Sequence, residues 1–403
     1  MLGTGRAAIS LAALSMAIAA SASAQTAVKI GVLADMSGLY SDIGGQGAVE
    51  AVQMAVEDFA ATDKTLKIDI VSADVQNKPD IAAAIARRWF DTENVDVLVD
   101  VPTSATSLAV ATVTRDKNKV ALFTASASSD LTGKACTPNT IHWTYDTWAL
   151  SHGTGAAITK SGGKSWFFMT ADYAFGHAME RDTADVVKQN GGTVLGSVRH
   201  PLDTKDFSSF ILQAQASKAQ IIGLANGGGD TINSIKAASE FGLLQGGQKL
   251  AGMLLFISDI HTLGLKTAQG LMLTTAFYWD LNDKTRAFGE RFAKRNKGRY
   301  PSMTQAGAYS ATLAYLAAVK KTGSTQDGAA VVKSIRDMGP IDDPLFGKTT
   351  VRIDGRAVHD MLLVEVKTPD ESKKPYDYYK IVSVIPADQA FRPLKDGECP
   401  LVK

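Results

Sequence analysis

The chain has 403 residues, 45% of them hydrophobic and 21% charged, with 42 Lys+Arg against 41 Asp+Glu. That composition belongs to a folded globular protein and excludes collagen-like, coiled-coil and disordered classes. The length allows roughly two or three domains with their own cores, and the balanced charge speaks against a nucleic-acid partner, which a basic excess would mark.

The first 24 residues read as an export signal. Arg6 precedes an apolar run from Ala7 to Ala20, and Ala22 and Ala24 form a small-residue cleavage site before Gln25. The run is barely long enough to span a bilayer, and polar Gln25 and Thr26 follow at once. Export gives meaning to the two cysteines, Cys136 and Cys399. Neither follows the cleavage site, so a lipoprotein is not expected. In an oxidising compartment an even pair predicts a disulfide, Cys136–Cys399.

Strands and helices then alternate. Val28, Ile30 and Val32 open a strand, followed by a turn-rich loop through Tyr40 to Gly47. Val49, Val52, Val56 and Phe59 form one stripe of a helix. Leu66–Ile70 reads as a strand, 80–90 as a helix, Val95–Val101 as a buried strand, and Thr103-Ser104 lead into another helix. The strand 119–124 runs into Ala125 to Ser129. After the aromatic stretch His142 to Trp148 the pattern restarts: strand 165–172, helix 176–189, a short strand near 194–198, helix 207–218, strand 219–225, then the turn Asn226 to Asp230 and its helix. Apolar runs at 250–258 and 270–278 predict two more strands. Three helices follow (284–296, 303–321, 328–338), then strands 361–367 and 378–385. Repeated βα units predict an α/β fold with parallel sheets covered by helices on both faces. The restart near Tyr145 predicts two lobes, and the three-helix run predicts a return of the chain to the first.

Enzyme motifs are missing. There is no G-x-G-x-x-G, Walker A, G-x-S-x-G or H-E-x-x-H sequence and no C-x-x-C, so neither a nucleotide cofactor nor a metal has a local signature. What is present is a set of hydroxyl-bearing βα turns, Thr103-Ser104 and Ser126 to Ser129. In open parallel sheets ligands bind beyond the carboxyl ends of strands, and a helix N-terminus there suits a carboxylate. Simple helix capping explains any single Ser or Thr equally well. Tyr145, Trp148, Phe175, Tyr278 and Trp279 fall at strand ends or lobe crossings, where they serve either core packing or an apolar pocket.

The segment Val28 to Gly38 after an export signal resembles the opening of ABC-transporter solute-binding proteins of the leucine/isoleucine/valine-binding family. Thr103-Ser104-Ala105-Thr106, Ser126 through Thr132, Asp172-Tyr173-Ala174-Phe175-Gly176 and the stretch Phe346-Gly347 to Asp354-Gly355 match in order. The resemblance implies a type I periplasmic-binding fold: two Rossmann-like lobes joined by three crossovers, placed near Tyr145, 275–279 and 346–351. The lobes are expected at 25–145 with 277–348, and at 146–276 with 349–403. It implies that Thr103, Ser104, Ala125, Ser126 and Ser128 hold a ligand carboxylate and that Phe175 covers the ligand. Tyr40, Tyr145, Asn226 and Tyr278 complete the expected site. Asp259 falls near the acid that pairs with an α-amino group in amino-acid binders, within a segment, Ile257 to Ile260, that departs from the usual pattern.

The expected function is a periplasmic, monomeric binding protein without cofactor or metal. It would capture a branched-chain or related amino acid, or an aromatic acid, and deliver it to membrane permease subunits. A sensor of the same fold without transport is the alternative. A secreted hydrolase is the third reading.

Overall fold

The computed structural model describes residues 25–403; the expected export signal lies outside the described residues. Strands β1 (Thr26–Ala34), β2 (Leu66–Asp74), β3 (Val97–Asp100), β4 (Val120–Phe123) and β5 (Thr140–His142) form one sheet in the order β2-β1-β3-β4-β5, parallel throughout. Apart from β2 at the edge, which is largely half-buried or exposed, their apolar runs are buried on both faces, as a helix-covered parallel sheet requires. Val28, Ile30, Val97, Val99, Val120 and Leu122 face one core, shared with α1 (Gly45–Thr62). Leu33, Leu98, Ala121 and Phe123 face the other, shared with α2 (Pro79–Thr92) and α3 (Ser104–Asp116).

After β5 the chain crosses through short helices α4 (Thr147–Leu150) and α5 (Ala156–Lys160) into a second parallel sheet. It contains β6 (Ser165–Ala171), β7 (Thr193–His200), β8 (Ile221–Ala225) and β9 (Lys249–Gly252) in the order β7-β6-β8-β9. Helices α6 (Ala174–Gln189), α7 (Ser208–Ala216) and α8 (Gly229–Glu240) connect them.

Two expected strands are shorter than their apolar runs. β9 ends at Gly252, where its pairing with β8 ends at Leu224; Leu254 and Phe256 lie in a loop, and α9 (Ile257–Leu263) begins inside the run. A short helix α10 (Leu265–Ala268) leads to β10 (Met272–Thr275), which stops well before Tyr278. The unpartnered final strands find their sheet here. β14 (Met361–Val366) pairs antiparallel with both β10 and β15 (Tyr379–Ile385). Between them come α11 (Asp283–Arg295), α12 (Met303–Thr322), α13 (Gly328–Asp337) and strands β11 (Ile341–Asp343), β12 (Gly347–Val351) and β13 (Ala357–Val358). The three helices do return to the first lobe. Arg291 and Arg295 of α11 pair with Asp58, Glu50 and Glu57 of α1.

The lobes are pinned where the chain crosses. Arg356, fully buried, donates to the Tyr145 carbonyl at 3.0 Å and pairs with Asp146 at 3.4 Å. Its guanidinium lies 4.6 Å from the centre of the Phe391 ring. The C-terminal tail continues to the predicted Cys136–Cys399 disulfide, and Arg392 donates to the Ser129 carbonyl on the way. The bond closes a loop of 263 residues. Reduction, or Cys399→Ser, is expected to lower stability by about 2–5 kcal/mol. A thermal midpoint unmoved by reductant would contradict this.

Candidate functional site

The cleft is built from strand ends. Thr103 precedes α3 as its cap: its hydroxyl oxygen accepts the Thr106 N–H, while the Thr106 hydroxyl oxygen accepts the Thr103 N–H. Thr103 is therefore committed to the helix, and the next hydroxyl, Ser104, faces the cleft. Ser104 Oγ accepts N–H groups from Ala127 at 3.3 Å and Ser128 at 2.9 Å, which fastens the loop after β4 to the start of α3. Its own proton has no acceptor among the described residues, and its N–H lies in the first turn, where no intrahelical partner exists. Ala125 lines the same corner, with its carbonyl accepting the Tyr145 O–H at 2.6 Å. Ser126 Oγ is buried without a partner. Ser128 Oγ instead accepts the Asp130 N–H and caps the following turn.

The opposite wall comes from the second lobe: Tyr173 and Phe175 at the start of α6, and Leu254 and Phe256 before α9. Tyr40 reaches across from the loop after β1. Buried Asp35 holds that loop, accepting the N–H groups of Gly38 and Tyr40 and the amide of Asn77. The phenolic oxygens of Tyr40 and Tyr173 are 2.7 Å apart. Together with Ile43, Gly44, Pro102, Ala127 and Tyr145, these residues surround about 340 Å³ of space, part of it continuous with solvent. Among the described residues no charged side chain lines it.

The turn after β8 has a steric role. Gly228 sits at φ +56°, and a Cβ there would lie 2.7 Å from the Leu39 carbonyl oxygen and 2.9 Å from the Tyr40 ring. Glycine at this turn lets the second lobe close over Leu39 and Tyr40.

Comparison with known proteins agrees with this fold. The profile of the family described as periplasmic binding protein fits residues 27–374. The chain belongs to this family. A periplasmic binding protein from Burkholderia mallei is 52% identical, with 94% of this chain and 99% of that one covered and a TM-score of 0.90. A branched chain amino acid ABC transporter periplasmic ligand-binding protein from Burkholderia xenovorans LB400 is 41% identical, covering 93% and 100%, with a TM-score of 0.82. A Leu/Ile/Val-binding protein homolog 6 from Brucella melitensis is 28% identical over 82% of this chain and 85% of its own.

Of the residues expected from the sequence, Tyr40, Ser104, Ala125, Tyr145 and Phe175 line the cleft of this binding protein. The other six, Thr103, Ser126, Ser128, Asn226, Asp259 and Tyr278, are not part of the lining. The Asn226 side chain is fully engaged with His200, Thr231 and Ser234. Tyr278 donates to Asp377 and packs against Tyr379. Asp259 is buried behind Phe256, whose N–H it accepts at 3.0 Å. The sequence did not single out Pro102, Ala127, Leu254 or Phe256. For the last two, the only available signal was an apolar run that reads equally well as a strand.

Three buried carboxyls lie close to the cleft, and among the described residues none makes a salt bridge, although Lys205 acts on Asp230 from a distance. Burial pushes Asp100 up to about 8, and Asp230 and Asp259 up to about 7. One oxygen of Asp100 and one of Asp230 has no hydrogen-bond partner. A folded state that keeps these protons while the unfolded chain has lost them becomes less stable as pH rises through the folded values. Burial pushes His142, His152, His200 and His359 down, which opposes this trend most strongly below about pH 6.5 and fades above it as unfolded histidines lose their protons. Stability is thus expected to fall by about 1–2 kcal/mol per pH unit from about pH 6.5 to 8. Asp100→Asn should flatten that slope. A thermal midpoint constant across this range would contradict the assignment.

Proposed function

We propose that this periplasmic binding protein is the solute-capturing component of an ABC transporter, and that its ligand is a small organic acid with an apolar or aromatic body. The observation that carries this reading is the lining: aromatic and aliphatic side chains, one hydroxyl corner at a helix start, and no charged group. The Ser104 hydroxyl, its N–H and the positive end of α3 suit a carboxylate. Tyr145, Phe175 and Phe256 suit a flat apolar body, with Tyr145 and Phe256 already edge to face at 6.0 Å. An ammonium group would need a carboxylate in contact, because an unpaired buried charge is costly. The lining offers none.

A branched-chain amino acid is the second reading. It is favoured by Asp259, buried close enough for its charge to raise the Tyr145 phenol, and by the substrate class in the name of the Burkholderia xenovorans relative. Delivery to permease subunits, residence in the periplasm and monomeric action belong to the same proposal. Among the described residues no helix is long and apolar enough to cross a membrane.

Calorimetric titration with leucine, isoleucine, valine, benzoate, 4-hydroxybenzoate and phenylpyruvate separates the readings. The organic-acid reading expects the acids to bind, Ser104→Ala to weaken them about 5- to 100-fold, and Asp259→Asn to leave them unchanged. Binding of the amino acids alone, abolished by Asp259→Asn, would establish the second reading instead.

A further inference from the structure

The two phenols that meet across the cleft carry one hydrogen-bond donor more than the protein uses. Each phenol has a single O–H. One proton joins Tyr40 to Tyr173 at 2.7 Å, and the accepting phenol keeps its own. Among the described residues no protein acceptor is bonded to that remaining proton. The third phenol of the lining, Tyr145, has already donated to the Ala125 carbonyl. Asp230 lies near enough for its charge to raise both Tyr40 and Tyr173, yet it hydrogen-bonds neither. Tyr40 is buried and Tyr173 half-buried, and both rings line the cavity. Buried donors are nearly always paired, so a ligand that fills the cleft and displaces its water must supply the acceptor.

We propose that the Tyr40–Tyr173 pair is a specificity-determining subsite that selects acids carrying a second oxygen function, a hydroxyl or a carbonyl, beyond their carboxylate. This rests on the organic-acid reading above. An ammonium group cannot serve, since it has donors only. A hydrocarbon end leaves the phenolic proton unpaired. A ligand hydroxyl accepts that proton and offers its own to the lone pairs of the phenols. Sites built around such a bond reject analogues that lack the partner more strongly than apolar pockets reject a missing methylene.

The test is calorimetric titration of the mature chain with benzoate against 4-hydroxybenzoate, and 3-phenylpropionate against phenylpyruvate, with leucine alongside. The wild type is expected to favour the oxygenated member of at least one pair by about 10- to 100-fold. The double variant Tyr40→Phe/Tyr173→Phe should bring that ratio close to one while the deoxy member keeps its affinity. If the double variant does not fold, the single variants decide, and at least one must lower the ratio. A wild-type ratio near one would overturn the subsite and leave the organic-acid reading intact. So would a ratio untouched by the phenylalanines, or an equal loss for both members. Binding of leucine alone, or of no acid at all, would overturn both.

Discussion

Everything at the cleft depends on how closely the two lobes can approach. The contact is between Leu39 and Tyr40 on one side and Gly228 and Gly229 on the other, where the Gly229 N–H reaches the Leu39 carbonyl at 3.4 Å. A side chain at Gly228 would collide with backbone and ring alike. Asp35 serves the same contact from below by fixing the loop that carries Tyr40. With the lobes this close, the cleft is walled by Tyr40 and Tyr173, and only part of it is continuous with solvent. Inside it, polar groups must satisfy one another or the ligand.

The same closeness dictates what holds the lobes in register. Arg356 is buried between the first and third crossovers, and burial pushes its guanidinium down to about 10 despite Asp146 beside it. A buried pair of this kind is weak evidence for stability, but removing one partner is strongly destabilising because the other charge is left alone. Phe391 covers the guanidinium, and the disulfide anchors the tail that carries Phe391. The tail thus seals the pin between the lobes.

Much of this was legible in the sequence. Alternating βα units gave both parallel sheets, and the three helices after Tyr278 gave the return to the first lobe. Two cysteines in a chain whose start reads as an export signal gave the disulfide. The hydroxyl turns and the Asp172–Gly176 turn led to Ser104, Ala125 and Phe175. The remainder depends on orientation, which residue type does not encode. Thr103 and Ser104 are adjacent hydroxyls, yet one caps the helix and the other faces the cleft. Asn226 looks like a ligand contact until His200, Thr231 and Ser234 converge on it from elsewhere in the chain. The run from Leu250 to Ser258 is apolar enough for a strand, and periodicity cannot reveal that pairing stops at Gly252. That stop places Leu254 and Phe256 in the lining of the cleft.

The most direct test of the account is a crystal structure of the mature chain grown with 4-hydroxybenzoate. The account predicts the carboxylate on the Ser104 hydroxyl and the α3 N-terminus, with the ring among Tyr145, Phe175 and Phe256 under the Tyr40–Tyr173 pair. A molecule bound outside this cleft, or one whose carboxylate is turned away from Ser104, would contradict it.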